Sequence, residues 1–150
     1  MLQEFFSRRW KVSVAQTSVI AIVDDDQAIR EAIESLLKSA GYGVELFASA
    51  EEFLNLGSRQ ETACLILDVR MPGMSGLELQ SQLAAANCSI PIIFISAHSD
   101  ERARARALKA GAIDFLQKPF SEESLLNAID ASLAIRRGGS FDGDEPEQPT

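Results

Sequence analysis

Six side chains in this 150-residue chain are of a type and spacing that could do chemistry together. Asp24, Asp25 and Asp26 follow the apolar run Val19-Ile20-Ala21-Ile22-Val23, and Asp68 follows Cys64-Leu65-Ile66-Leu67. Ser96 follows Ile92-Ile93-Phe94-Ile95, and Lys118, itself followed by Pro119, comes shortly after a run from Ile113 to Leu116. Carboxylates gathered in one place repel unless something neutralises them. A hard divalent cation such as Mg²⁺ does this, taking oxygen ligands and keeping some of its waters. A carboxylate nucleophile, a metal that offsets phosphoryl charge and fixed donors for the phosphoryl oxygens make up a phosphoryl-transfer site. Taken singly, each of these residues reads as a helix cap or a solvated loop end. The constellation therefore depends on the fold that brings the residues to one edge.

The elements that must position them are legible as alternating patterns. Val19–Val23 is a continuous apolar run, as in a strand covered on both faces, and Cys64–Leu67 and Ile92–Ile95 are continuous runs that read as further strands. Val44-Glu45-Leu46-Phe47 and the stretch from Ile113 to Leu116, each with one acidic residue, read as the other two strands. Between them lie segments of helical period. Asp26 caps a helix carrying Ile29, Ala32, Ile33, Leu36 and Leu37, and Gly41 ends it. Ser49 with Glu52 predicts a capping box for a short helix through Leu56, and Ser75 with Glu78 predicts another for a helix to about Ala86. An Ala/Arg-rich helix is expected from Ser99 to Ala110, closed by Gly111. Ser121 caps a last helix with Leu125, Leu126, Ile129 and Leu133. Strict β–α alternation with right-handed crossovers gives an α/β fold, a doubly wound five-stranded parallel sheet with five helices, (βα)5. In such sheets ligands bind beyond the carboxyl ends of the strands, where all six residues fall.

Composition narrows the rest. The length suits one domain, since domains run to roughly 100–150 residues. Formal charge is −8, and an acidic surface repels phosphate backbones, so no direct nucleic-acid binding by this chain is expected. Cys64 and Cys88 form no C-x-x-C and have no His cluster beside them, which argues against a disulfide framework and a zinc site. No apolar run approaches the ~20 residues of a membrane span, and the expected location is cytoplasmic. Residues 1–17 carry Arg8, Arg9 and Lys11 against Glu4 and read as a flexible N-terminal extension. Residues 18–137 form the domain. Residues 138–150, with Asp142, Asp144, Glu145 and Glu147 and no base, read as an acidic disordered tail.

The stretches Ile22-Val23-Asp24-Asp25-Asp26, Leu67-Asp68-Val69-Arg70-Met71-Pro72-Gly73-Met74-Ser75-Gly76, Ile95-Ser96-Ala97 and Lys118-Pro119-Phe120 resemble the receiver domain of two-component response regulators, in order and in spacing, over about residues 18–136. The similarity is to receivers of the FixJ/NarL type, which have a flavodoxin-like fold. The resemblance implies that Asp68 is the phosphoacceptor. It implies that Asp24 and Asp25 hold Mg²⁺, with Asp68 and the backbone carbonyl of Arg70 completing the protein ligands. Ser96 takes the switch hydroxyl's place, Lys118 pairs with the phosphoryl group, and Phe115 is the switch aromatic that turns inward. Lys118–Pro119 is expected to be cis.

A receiver takes its phosphoryl group from a sensor histidine kinase or a histidine phosphotransfer protein and signals by protein contact. It is therefore a signalling domain and not an enzyme acting on a separate substrate. The fourth helix, fifth strand and fifth helix are the expected face for a phosphorylation-dependent homodimer or an effector protein. Other residues read more plainly. Asp26 is a cap before it is a ligand. His98, flanking the pocket, is read as tuning dephosphorylation. Arg102, Arg104 and Arg106 form a basic streak, read as a mostly solvated helix with a docking surface as the alternative. Two rival functions stand beside the receiver reading. One is the receiver part of a longer DNA-binding transcriptional regulator. The other is a haloacid-dehalogenase-like phosphatase using Asp24-x-Asp26. That second rival lacks a cap and a downstream Asp-Asp pair, and leaves the stretch from Asp68 to Gly76 unexplained.

Overall fold

The computed structural model describes residues 18–58 and 60–142, with 136–142 as backbone alone. The expectations for residues 1–17 and 143–150 lie outside the described residues. The elements in chain order are β1 (Val19–Val23), α1 (Gln27–Ser39), β2 (Gly43–Phe47), α2 (Ala50–Leu56), β3 (Thr62–Asp68), α3 (Gly76–Ala85), β4 (Ile92–Ser96), α4 (Glu101–Lys109), β5 (Asp114–Gln117) and α5 (Glu122–Asp142). The strands form one sheet in the order β2-β1-β3-β4-β5, and every neighbouring pair is parallel. This is the doubly wound (βα)5 arrangement expected from the alternation.

The apolar runs are continuous because the sheet is covered twice. Ala21, Val23, Leu65, Leu67 and Phe94 face the layer that holds Phe53 of α2, Leu79 and Leu83 of α3, and Ala103 and Ala107 of α4. Their strand neighbours Ile20, Ile22, Cys64, Ile66, Ile93 and Ile95 face Ile33 and Leu37 of α1 and Leu125, Ala128 and Ile129 of α5. Burying each large aliphatic side chain contributes roughly 1.5–3 kcal/mol before entropy is counted, so a polar residue inside either run would be costly. The first charged residues, Asp24 and Asp68, come where the strands leave the sheet.

Local signals account for most helix ends. Asp26 accepts from the N–H groups of Ala28 and Ile29 at 2.9 and 3.3 Å. Ser75 and Glu78 close a complete capping box. Ser121 accepts from the Ser124 N–H at 3.0 Å. The helix-ending Gly41 and Gly111 have φ of +95° and +105°.

Three details differ from expectation. Glu52 reaches back to the Ala48 N–H rather than to that of Ser49, so α2 has half of a capping box. The fourth helix begins at Glu101 with Asp100 as its cap, not at Ser99. The last helix continues to Asp142, past the Gly138 at which the tail was expected to begin. Once a helix is nucleated each further residue adds one hydrogen bond, and glycine's penalty of about 1 kcal/mol against alanine weakens this without stopping it.

Candidate functional site

Strand order decides where a site can form. Connections from β1 and β3 leave toward opposite sides of the sheet, opening a crevice at their carboxyl ends. Asp24 follows β1 and Asp68 ends β3, so both carboxylates fall in that crevice. Asp24, Asp25 and Asp68 each place a carboxylate oxygen within 4.8 Å of the other two. Asp24 and Asp68 are buried, while Asp25 is exposed to solvent.

Asp24 is held from every side. Its Oδ1 accepts from the Asp26 N–H at 2.9 Å, and its Oδ2 accepts from Lys118 Nζ at 2.9 Å. The Asp24 backbone carbonyl accepts from an Arg30 guanidinium N–H at 2.6 Å. Lys118 Nζ lies farther from Asp68, at 3.7 Å. The ammonium therefore compensates Asp24 better than Asp68. Burial, then repulsion by Asp24, push the Asp68 carboxyl up to about 7 against the pull of Lys118. A site with three carboxylates and one ammonium still has excess negative charge. Its donor set of hard carboxylate oxygens fits a small divalent cation.

The remaining sequence-flagged residues lie around this centre. Ser96 ends β4, one residue beyond Ile95, which is paired with Asp68 across the sheet. Its buried hydroxyl donates to the His98 carbonyl at 3.0 Å and accepts from the His98 N–H at 3.1 Å. His98 itself is exposed. The Lys118 N–H donates to the Ser96 carbonyl at 2.7 Å, and this ties the two strand ends together. Lys118–Pro119 is cis, as the resemblance implied. Phe115 is buried, its ring centroid 6.1 Å from that of Phe94, so the aromatic stands in its inner position here. Asp26 acts as the cap of α1.

Gly76, the last residue of the D-x-x-M-P-x-M-x-G stretch, has a steric reason. A Cβ there would run into the Asp68 carbonyl oxygen, and the Gly76 N–H donates to the Val69 carbonyl at 2.9 Å. The start of α3 is thus packed directly on the strand end that carries Asp68.

Three supporting contacts were not read from sequence. Arg30 pins Asp24, as above. Glu51 of α2 accepts from the Met74 N–H at 2.9 Å, holding the loop after β3. The Arg70 side chain pairs with Asp100, the α4 cap, at 2.9 Å. Arg30 left a faint signal, because a cation near a helix N-terminus opposes the helix dipole and needs another partner. Neither of the other two pairs, 23 and 30 residues apart in sequence, left any.

The fold and this cluster define a class of signalling domain, and comparison with known proteins agrees. The model of the response regulator receiver domain family matches residues 20–130, and the chain belongs to that family. It is 55% identical over 120 residues to the response regulator protein TodT of Pseudomonas putida, an alignment covering 80% of this chain and 53% of TodT. It is 40% identical over 114 residues to the transcriptional regulatory protein FixJ of Bradyrhizobium diazoefficiens, covering 76% of this chain and 56% of FixJ. Among solved structures, the response regulator StyR superposes with a TM-score of 0.76 at 49% identity, covering 87% of this chain and 68% of that one. The structure of FixJ-N gives 0.71 at 35% identity, covering 78% and 94%. The chain is a receiver domain of a two-component response regulator and spans about half the length of the curated relatives it matches. No described helix is long and apolar enough to cross a membrane.

Proposed function

We propose that Asp68 accepts a phosphoryl group from a sensor histidine kinase or a histidine phosphotransfer protein. The observation that carries this reading is the cluster of Asp24, Asp25 and Asp68, with Lys118 reaching into it. Mg²⁺ would be held by Asp24, Asp25, Asp68 and the Arg70 backbone carbonyl, and would offset phosphoryl charge and favour the ionised form of Asp68. An Asp68 carboxylate oxygen attacks phosphorus. The bond from phosphorus to the donor's histidine nitrogen breaks, and its electron pair stays on that nitrogen. Lys118 then pairs with a phosphoryl oxygen. The Ser96 hydroxyl exchanges its bond to the His98 carbonyl for one to a second phosphoryl oxygen, and Phe115 is held in the buried position it already occupies. His98 flanks the pocket and tunes the rate of hydrolysis.

The domain signals in the cytoplasm by contact and not by turnover of a separate substrate. Its readout is a homodimer or an effector protein bound at the face of α4, β5 and α5. Incubation with acetyl phosphate and Mg²⁺ should add one phosphoryl group, mapped to Asp68 by mass spectrometry and absent in Asp68→Asn. Label on Asp24 would instead favour the dehalogenase-like phosphatase.

A second reading has its own support. The relatives are about twice as long as the matched region, and FixJ is called a transcriptional regulatory protein. On this reading the chain is the receiver part of a DNA-binding transcriptional regulator, and the acidic segment after α5 begins a linker. An in-frame DNA-binding domain encoded downstream would establish it; a stop codon directly after Thr150 would refute it.

A further inference from the structure

We infer that the basic ridge of α4 is a docking surface for the acidic segment 143–150 of this same chain. Helix α4 turns Ala103 and Ala107 into the core and leaves Arg102, Arg104, Arg106 and Lys109 exposed. Spacings of four and three residues put Arg102, Arg106 and Lys109 on one stripe, with Arg104 apart from them. Among the described residues none of the four has an ion-pair partner, since the described pairs are made by Lys38, Arg70 and Lys118. Of the two carboxylates just N-terminal to the stripe, Glu101 lies off it and Asp100 is occupied by Arg70 and by the Ala103 N–H. Like charges one turn apart oppose helix formation, and Arg102 also opposes the dipole at the N-terminal end. A chain with a net charge of −8 thus concentrates uncompensated positive charge on one short helix.

The occupant is argued from charge and position. The segment 143–150 carries Asp144, Glu145 and Glu147 and no base. Ile135 of α5 shares the lining of one groove with Ala110, Gly111, Ala112 and Ile113, the turn that directly follows Lys109. From Ile135 the helix runs on to Asp142, about 10 Å farther at its rise per residue. Extended from there, Glu147 reaches up to roughly 17 Å, enough to return to Lys109. Pro146 stands between Glu145 and Glu147 and favours an extended course, which sets those carboxylates about 6 Å apart. That matches the roughly 5–6 Å between side chains one helical turn apart, such as Arg106 and Lys109. Tethering supplies an effective concentration that a free acidic peptide lacks. An acidic partner for the α4 face must therefore displace this segment.

The test is carbodiimide coupling of the full chain at low salt. The reagent activates a carboxyl group, and the lysine amine displaces it to form an amide, so no new reach is added. Peptide mapping should find Lys109 joined to Asp144, Glu145 or Glu147 within the monomer, with yield falling several-fold at about 0.5 M salt. The yield should fall as far in Arg102→Gln/Arg106→Gln, which leaves the coupling lysine in place. Amide hydrogen exchange over 103–109 should quicken in a variant ending at Asp142. Coupling found only in a dimer would assign the ridge to a second copy. Coupling to Lys11 or Lys38 as strong as to Lys109 would overturn the site, as would unchanged exchange with no link at Lys109.

Discussion

Helices α3 and α4 lie on the same side of the sheet and flank the same crevice, yet they are held in different ways. Helix α3 starts from a complete capping box, seats Gly76 against the Asp68 carbonyl, and buries Leu79 and Leu83 in the core. Helix α4 is anchored by two alanines, by the Gln80 side chain of α3 donating to the Ala107 carbonyl at 3.1 Å, and by a cap whose second oxygen is bound to Arg70. The buried area that resists motion is therefore large in one and small in the other. A site whose nucleophile must stay fixed while its state is reported elsewhere benefits from this asymmetry. One wall keeps Asp68 in place, and the other can move at little cost.

The largest expected effect is on the rigid side. Gly76→Ala forces a methyl group against the Asp68 carbonyl, which cannot yield as a side-chain end could, and should cost roughly 3 kcal/mol in urea unfolding and suppress phosphorylation. A variant as stable as the parent would show that the α3 start can slide, and the contrast with α4 would fail.

Next comes charge at the crevice. In the metal-free protein the folded-state pKa of Asp68 is raised to about 7, so the fold favours the neutral carboxyl. The stability tied to this group is present at pH 4 and is lost as pH rises through about 7. Asp68→Asn should therefore match its parent near pH 4 and exceed it at pH 8 by on the order of 2 kcal/mol in a chelator-treated sample. Added Mg²⁺ should narrow that gap, because binding stabilises the parent. Parallel pH profiles for the two proteins would remove burial as the cause.

On the movable side, Ala103→Gly should cost about 1 kcal/mol through helix propensity alone. Amide exchange should quicken over α4 and leave α3 unchanged. A rise shared equally by both helices would mean that they unfold as one unit. The smallest effect belongs to the exposed pair of Arg70 and Asp100. Arg70→Ala should barely alter global stability, since such pairs contribute little, yet it frees the α4 cap from the loop after β3. Asp100→Ala also removes the bond to the Ala103 N–H and should quicken α4 exchange further. The hydrogen bonds to the Asp100 carboxylate, followed by Arg70, hold its pKa below the usual carboxylate range, so this cap should persist until the pH falls below that range.

Much of this arrangement was legible beforehand because it rests on local physics. A strand buried on both faces needs an unbroken apolar run, as in β1, β3 and β4, and five strand segments in strict alternation with helical periods leave little choice of fold class. Caps at Asp26, Ser75 and Ser121 satisfy N–H groups two or three residues away, so they can be read along the chain. The residues following each run had to fall at one edge, which made Asp24, Asp25, Asp68, Ser96 and Lys118 a group before any distance was known.

What sequence could not decide was set by contacts across the fold. Ser99 and Asp100 are both able to cap α4, and Asp100 does so while its free oxygen meets Arg70 from another loop. The carboxylate favoured by Lys118 is likewise a matter of tenths of an ångström, 2.9 Å against 3.7 Å. That difference leaves Asp68 less compensated than Asp24. Arg30 takes its place behind Asp24 only once α1 has folded back on β1. Periodicity and capping act within a few residues and are written in the order of the chain. The balance of charge at the crevice comes from groups on three strand ends and one helix, and only the packed sheet brings those to hydrogen-bonding range.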